Sequence, residues 1–377
     1  MKIVIVVPTY NEVENVGNLI PAIWQETKEL SHDVRVLFVD GNSPDGTAEK
    51  VKEMSALYPF VSVILEPEKR GLGAAYIYAF KYAMSEMSAD VVVEMDADFQ
   101  HNPADIPRLI AALDAGADYA IGSRFAKGGS IPSDWALYRK LLSIGGSYFS
   151  KIVLGIFNVN DFTSGFRASR VRGFVDKIDL DSILSKGFAY KIDLLYKMHK
   201  LGAKITEVPI AFGLRDRGDS KMEKDNFQDS LKTVLTLRYR QNESFFKFLG
   251  VGLIGLFTDS ALFNILYAVS LHDLLHMSSS VESLVSGFIA MFVTFTLNNF
   301  WSFSARKIGS KIELAAKLGF YYATSYLPIV FRSFLIHFSE QTFGESFFVR
   351  NGAFFIGIFI GLVWNFTIYS KVIWKKK

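Results

Sequence analysis

The sequence contains no cysteine, which excludes a disulfide framework and a thiolate metal site. Its net charge of +3 is too small to indicate a protein that binds nucleic acid. We also expect no secretory leader, because the opening MKIVIVVPTY has the length of one buried strand and is too short for a leader core with a cleavage site. We therefore expect the first domain to stay in the cytosol.

Charge is scarce in the last third of the chain. Residues 1–244 include 62 charged side chains, whereas the 133 residues from 245 to 377 include 17. Such a drop indicates a change of solvent along the chain. We expect a soluble domain over residues 1–240 and a membrane domain over residues 245–377, with the boundary near Ser244.

The membrane domain contains four long apolar stretches that carry almost no charge. Each has the ~20 residues that a helix needs to cross a bilayer. The alternative is four buried helices in the core of a large soluble protein, which the length and the scarcity of charge argue against. The predicted membrane helices cover residues 245–269, 283–303, 315–338 and 347–373.

Basic residues indicate which ends of these helices face the cytosol. Residues 306–317 and residues 371–377 each carry four Lys or Arg, whereas residues 272–282 carry none and residues 340–350 carry one. Basic loops stay on the cytosolic side of a membrane. The pattern therefore places both termini and the soluble domain in the cytosol.

Asp259 and Arg332 are charged residues that fall inside the predicted membrane helices, away from their ends. Charge inside a bilayer is costly, so these side chains are expected either to pair across the bundle or to serve helix packing. In hydropathy and length the bundle resembles the GtrA-like family of small four-helix membrane domains.

Buried strands and helices alternate in the soluble domain. Apolar runs without polar alternation predict strands of a parallel sheet at residues 3–7, 34–39, 61–65, 91–95 and 119–121. Helical patterns separate them at residues 13–29, 47–55, 74–85 and 105–115. This order predicts a doubly wound, Rossmann-like α/β domain, in which ligands bind beyond the carboxyl ends of the strands.

The polar run DADFQH follows the fourth predicted strand. If the strand continues, Asp96, Asp98 and Gln100 all point to one side, because strand side chains alternate with a period of two. Their hard oxygen atoms suit Mg²⁺ or Mn²⁺ held together with substrate phosphates. The alternative is a polar turn with solvated acids.

Seven motifs occur in order along residues 3–221: VPTYNE, NSPDGT, GLGAAY, DADFQH, GSRF, TSGFR and RDRGDSK. Together they resemble glycosyltransferase family 2, which has a GT-A fold, and within it the dolichol-phosphate mannose synthase group. The resemblance implies transfer of a sugar from a nucleotide-sugar to a polyprenyl (dolichyl) phosphate, with inversion at the anomeric carbon.

The resemblance also assigns a donor site. It implies that Asp96 contacts the ribose or the sugar, and that Asp98 and Gln100, beside Asp96, hold the metal on the diphosphate. Gly41 departs from the family pattern, which usually has a second acid there after Asp40. The residues implied to bind the nucleotide-sugar are Pro8, Tyr10, Glu12, Asp40, Asp96, Arg215 and Lys221.

A lipid-phosphate acceptor changes what catalysis requires. A phosphate monoester, whose second pKa is about 6, is already ionised at neutral pH, so it needs cations rather than a general base. The resemblance implies that Arg124, Arg139 and Ser143 hold this phosphate. Asp193 falls where many family members place a catalytic base, and we interpret it as an orienting residue.

A lipid acceptor also requires contact between the soluble domain and the membrane. Residues 135–157 and 226–240 mix apolar, aromatic and basic side chains, as helices at a membrane surface do. The alternative for each is a helix packed on the core of its own domain.

Several functions remain open at this point. The leading hypothesis is a mannosyltransferase that uses GDP-mannose and supplies glycosylation pathways, and the nearest alternative uses UDP-glucose. A processive polysaccharide synthase is disfavoured, because the sequence has no Gln-x-x-Arg-Trp motif. A non-enzymatic lipid-carrier translocase or anchor is the alternative of another class. The oligomeric state is not predicted.

Overall fold

The computed structural model describes residues 1–213, 224–268, 279–344 and 346–375. The chain forms two compact units, Met1–Arg238 and Tyr239–Lys377. The first unit holds the motifs and the second holds the long apolar stretches.

A seven-stranded sheet forms the centre of the first unit, in the order β3-β2-β1-β4-β6-β5-β7. Its strands are β1 Lys2–Thr9, β2 Asp33–Asp40, β3 Val61–Leu65, β4 Val91–Glu94, β5 Tyr119–Ser123, β6 Arg167–Arg170 and β7 Ile205–Pro209. The first five overlap the predicted strands. Sequence patterns missed β6 and β7, because RASR and ITEVP lack a continuous apolar run.

The sheet is not wholly parallel, and the prediction of a parallel sheet is wrong for one strand. Strand β6 runs antiparallel to both of its neighbours, β4 and β5, while the other pairs are parallel. Because β6 reverses direction, the carboxyl ends of β4 and β5 still meet at one edge, and the start of β6 at Arg167 lies between them.

Helices cover both faces of this sheet, as the alternation of strands and helices predicted. Val4 and Val6 of β1 pack in one apolar cluster, and Ile3, Ile5 and Val7 of the same strand pack in another. The helices of the unit are α1 Val13–Thr27, α2 Thr47–Leu57, α3 Leu72–Ser85, α4 Ile106–Asp114, α5 Leu137–Leu154, α6 Tyr190–Lys200 and α7 Lys224–Gln241.

The second unit is helical over its described residues. Its helices are α8 Glu243–Ala268, α9 Ser279–Leu297, α10 Lys311–Phe343 and α11 Phe347–Ile368, and π-helical turns follow α9 and α11 at Asn298–Ser302 and Tyr369–Ile373. Among the described residues, two stretches are long and apolar enough to cross a membrane, Glu243–Leu266 and Phe355–Ile373. Four membrane crossings therefore stay a prediction.

Several polar groups of the second unit bind one another. The Ser286 hydroxyl donates to Asp259 Oδ1 at 2.7 Å. The Trp374 Nε1–H and the Ile308 N–H both donate to Asn299 Oδ1 at 2.9 Å. The predicted pairing of Asp259 with Arg332 cannot be followed further, since the Arg332 side chain lies outside the described residues.

Candidate functional site

The acidic loop, residues 95–101, leaves the carboxyl end of β4. Asp98 and Gln100 are buried, whereas the Asp96 side chain is 30% exposed. The Asp96 N–H donates to His101 Nδ1 at 3.0 Å, and the Tyr76 hydroxyl donates to Asp96 Oδ1 at 3.3 Å. These bonds hold Asp96 at the more open side of the loop, whereas Asp98 is buried within it.

The alternation of strand side chains does not extend to this loop. Strand β4 ends at Glu94, and Phe99 has a positive φ of 59°. A left-handed residue turns the chain and breaks the alternation. The loop is held instead by the Gln100 N–H, which donates to Asp98 Oδ1 at 3.2 Å, and by Gln100 Nε2, which donates to the Gly213 carbonyl at 3.3 Å.

The donor atoms of the acidic loop fit a hard divalent cation. Asp98 offers carboxylate oxygens, and the Gln100 amide nitrogen is bound to Gly213, which identifies the other end of that amide as its oxygen. Within the described ranges, no group of three or more His, Cys, Asp or Glu surrounds one point. A site with so few protein ligands suits Mg²⁺ or Mn²⁺ completed by phosphate oxygens and water.

His101, which sequence analysis left without a role, is part of this loop's support. Its ring is buried, stacks on Phe166 with a centroid distance of 5.0 Å, and meets Phe212 edge-on. Burial lowers the pKa of His101 against the opposing charge of Asp96, which favours the neutral ring that accepts the Asp96 N–H. In the sequence, His101 was marked only by its place at the end of the DADFQH run.

The carboxylate of Asp40, at the end of β2, is fully buried and bound within the chain. It accepts the Thr9 hydroxyl at 2.9 Å, the Ser43 hydroxyl at 2.6 Å and the Ser43 N–H at 2.7 Å. Asp40 therefore organises the turn after β2. Its predicted contact with a nucleoside remains a prediction.

Tyr10 lies beside Gly41, the position that departs from the family pattern. The Lys69 ammonium lies over the Tyr10 ring, 3.1 Å from its centroid. A Cβ at Gly41 would come 3.4 Å from Tyr10 Cδ2 and 3.7 Å from Lys69 Cγ. A side chain therefore fits at Gly41 in ordinary van der Waals contact.

The other residues predicted for the nucleoside lie on the same edge. Pro8 is in β1 opposite Val39 of β2. Glu12, just before α1, accepts the Asn15 Nδ2–H at 2.6 Å, and its own N–H donates to Thr47 Oγ1 at 3.0 Å. Arg215 and Lys221, predicted to cover the donor phosphates, lie outside the described residues.

Arg124, which follows β5, forms a buried ion pair that sequence analysis did not predict. Its Nε donates to Asp161 Oδ2 at 2.8 Å, and its Nη2 donates to Asp161 Oδ1 at 2.7 Å and to Thr163 Oγ1 at 2.6 Å. Burial alone would raise the pKa of Asp161, but the Arg124 guanidinium outweighs it and holds that pKa below its usual range. No sequence pattern indicates that Arg124 and Asp161, which are 37 positions apart, form a pair.

The remaining residues predicted for the lipid phosphate are on α5. Arg139 stacks over the Trp135 ring at 4.0 Å from its centroid, and Ser143 lies one turn further along the helix, partly exposed. Asp193, the predicted orienting residue on α6, accepts the Leu184 N–H at 2.8 Å and pairs with Lys197 at 3.4 Å. The contacts of Asp193 are thus with its own helix and the preceding loop.

A buried polar cluster lies behind the acidic loop, and sequence analysis missed it. Glu94 and Arg167 are cross-strand neighbours. The Tyr190 hydroxyl donates to Glu94 Oε2 at 2.6 Å, and Arg167 Nη1 donates to the Tyr119 hydroxyl at 2.7 Å. Burial raises the pKa of Glu94, against the pull of Arg167. The cluster braces β4, β5 and β6 where the site begins.

Two family models match this chain. Residues 4–177 match glycosyl transferase family 2, and residues 247–374 match the GtrA/DPMS transmembrane domain. The first unit is therefore a GT-A type α/β domain, and the chain is a glycosyltransferase with a transmembrane domain.

Curated relatives indicate which group of glycosyltransferases this chain is similar to. The chain is 33% identical to a dolichol-phosphate mannosyltransferase of Pyrococcus furiosus over 99% of both chains. It is 40% identical to an undecaprenyl-phosphate mannosyltransferase of Micrococcus luteus, over 59% of this chain and 88% of that one. A polyprenol monophosphomannose synthase of Mycolicibacterium smegmatis is 39% identical over 62% of this chain and 85% of its own. The chain belongs to this family of glycosyltransferases.

The solved structures that match part of this chain include glucosyl-3-phosphoglycerate synthase of Mycobacterium tuberculosis in complex with UDP. It is 18% identical to this chain and covers 63% of this chain and 80% of its own, with a TM-score of 0.45.

Proposed function

We propose that this protein transfers mannose from GDP-mannose to a polyprenyl phosphate such as dolichyl phosphate, with inversion at the anomeric carbon. The observation that carries the proposal is the match to the Pyrococcus furiosus relative, which extends over both domains. The reaction would supply a lipid-linked mannose for glycosylation at the cytosolic face of a membrane.

The acidic loop would bind the donor. Asp98 and Gln100 would hold a divalent cation, Mg²⁺ or Mn²⁺, and Asp96, the more exposed acid, would contact the ribose or the sugar. When bound, the cation supplies positive charge that offsets the charge developing on the leaving diphosphate. Pro8, Tyr10 and the residues of the Asp40 turn would flank the nucleoside on the same edge of the sheet.

The acceptor would need positioning and charge rather than deprotonation. Asp193, which accepts the Leu184 N–H, would keep α6 in place and take no proton. Among the described residues Arg124 Nη1 has no partner, since Asp161 and Thr163 take Nε and Nη2. That nitrogen and Arg139 are the groups we assign to the lipid phosphate, because a guanidinium matches phosphate geometry.

Helix α5 would lie against the membrane that holds the acceptor. One side of it exposes an apolar row at helical spacing: Leu137, Leu141, Ile144, Tyr148 and Ile152. A row of this kind next to basic side chains favours insertion at the boundary between lipid headgroups and acyl chains. Helix α7, over the second predicted interface segment, also exposes Phe227, Leu235 and Tyr239.

The test is transfer of radiolabel into lipid. The full-length protein in detergent, with Mn²⁺ and polyprenyl phosphate, would be given labelled GDP-mannose or labelled UDP-glucose, and label in the organic phase would be counted. Asp98→Ala is the loss variant. Asp114→Ala is its matched control, because Asp114 is an exposed acid paired with His32 outside the acidic loop.

We expect metal-dependent label from GDP-mannose with the wild type and with Asp114→Ala, and none with Asp98→Ala. Label from UDP-glucose alone would keep the mechanism and change the donor. No label from either donor with folded protein would contradict the proposal and favour a translocase or an anchor.

A further inference from the structure

Lys191 is a buried cation at the first turn of α6, and no pattern in the sequence singled it out. Its side chain is 1% exposed. Among the residues that the structure describes, it makes no hydrogen bond or ion pair, and its ammonium lies over the Phe188 ring, 4.2 Å from the centroid. The other deeply buried cations of this unit, Arg124 and Arg167, each bind several oxygens.

The ammonium of Lys191 lies beside the acidic loop. A Cβ on Gly165 would collide with Lys191 Nζ, and the same Cβ would come 3.2 Å from His101 Cε1. Gly165 therefore leaves the space that Nζ occupies, next to the ring that holds Asp96. Burial lowers the pKa of Lys191, Asp96 opposes this, and Arg167 and Arg124 add to it.

Desolvation of a buried charge is costly, and the contact that the structure describes for the Lys191 ammonium is with the Phe188 ring, while Asp96 and Glu94 attract it from a distance. A ring contact of this kind is weaker than the loss of hydration that an ammonium suffers on burial. An anion that arrives with a substrate would complete the site. Each proposed substrate carries such an anion: the donor has a diphosphate, and the acceptor has a lipid phosphate.

We propose that the Lys191 ammonium binds a phosphate oxygen of a substrate at the acidic loop. The inference rests on the proposed function, from which it takes phosphate-bearing substrates. The oxygen belongs either to the donor diphosphate or to the acceptor phosphate, and the two sources are separable by experiment.

The test compares Lys191→Met with wild type and with Lys200→Met, a control lysine that is exposed on the same helix. KM for the donor and KM for the acceptor are measured separately, together with the melting temperature. Dissociation constants for GDP with Mn²⁺ and for polyprenyl phosphate are measured without turnover. Gly165→Ala, which displaces the ammonium, is the second variant.

We expect Lys191→Met to raise one KM and the matching dissociation constant at least about tenfold, as the loss of a hydrogen bond to a charged group does. Its melting temperature should be unchanged or higher, because an apolar side chain of similar size often replaces a buried charge without loss. A change in the donor constants identifies the diphosphate, and a change in the acceptor constants identifies the lipid phosphate.

Unchanged constants in folded Lys191→Met would overturn the inference, and so would a lower melting temperature that accounts for all the lost activity. If the wild type transfers no sugar, the proposed function fails, and the two dissociation constants still decide the role of Lys191.

Discussion

The acidic loop and the Arg124–Asp161 ion pair follow two parallel strands of one sheet edge, yet they treat charge differently. Asp161 is fully buried and satisfied by Arg124. In the acidic loop the Asp96 side chain remains 30% exposed, on the same loop as the buried Asp98 and Gln100. The comparison indicates that the ion pair stabilises the edge and that the acidic loop is arranged for a ligand.

The largest expected difference between the acidic loop and the ion pair is in the rate of sugar transfer. Asp98→Ala should lower the rate of label transfer by roughly a thousandfold, because charge stabilisation by a bound cation is worth several kcal/mol. Thermal unfolding of the full-length protein in detergent should change little. A variant that keeps its rate would show that Asp98 does not support the reaction.

The ion pair should show the reverse pattern. Asp161→Ala leaves Arg124 buried without its partner, and the loss of one member of a buried pair costs about 3–5 kcal/mol. The melting temperature should fall, and transfer per folded molecule should fall less than in Asp98→Ala, because Asp161 also holds the Arg124 that we assign to the lipid phosphate. Asp181→Ala, at an exposed pair with Lys81, is the control and should melt like the wild type. Equal melting of Asp161→Ala and wild type would contradict the assignment.

The stability that the ion pair contributes should also depend on pH. The pKa of Asp161 is lowered in the folded state, so the unfolded chain takes up this proton at higher pH than the folded one. The contribution of the ion pair to stability is therefore complete above the unfolded pKa of about 3.9 and is lost as pH falls through the folded value. The melting temperatures of wild type and Asp161→Ala should differ less at pH 3 than at pH 7. A constant difference would be inconsistent with this linkage.

The smallest effect is expected at Gly41. Gly41→Asp places a carboxylate beside Tyr10 in ordinary contact, where it would gain one hydrogen bond to the nucleoside. Such a bond is worth about 1 kcal/mol, so KM for the donor should fall a fewfold. Gly41→Ala, which adds the Cβ alone, should leave KM unchanged. A similar fall in both variants would assign the effect to packing instead.

Sequence patterns located the parts of the sheet that have continuous apolar runs. Strands β1, β2, β4 and β5 were found because most of their residues are buried, which makes them largely apolar, and the largely apolar run VSVIL located β3 although most of its residues are half-buried. Strand β6 was missed because Arg167 and Ser169 occupy buried positions in it, and the Tyr119 hydroxyl that Arg167 binds lies on a neighbouring strand.

The sequence predicted which loops form the site, but it did not predict the contacts among their side chains. The motifs placed the acidic loop at the correct edge, since ligand sites follow the carboxyl ends of parallel strands. The motifs did not predict the turn at Phe99, whose backbone has a positive φ. Neither could they give the partner of Arg124 or the isolation of Lys191, because these depend on contacts between distant parts of the chain.

The most direct test of the proposed function is the mass of the lipid product. Full-length protein, Mn²⁺ and polyprenyl phosphate would be incubated with equal amounts of GDP-mannose and UDP-glucose, and the organic phase would be analysed by mass spectrometry and by NMR of the anomeric proton. The proposal predicts lipid phosphate carrying a single inverted mannose. Lipid phosphate recovered unmodified from folded, metal-loaded protein would contradict it.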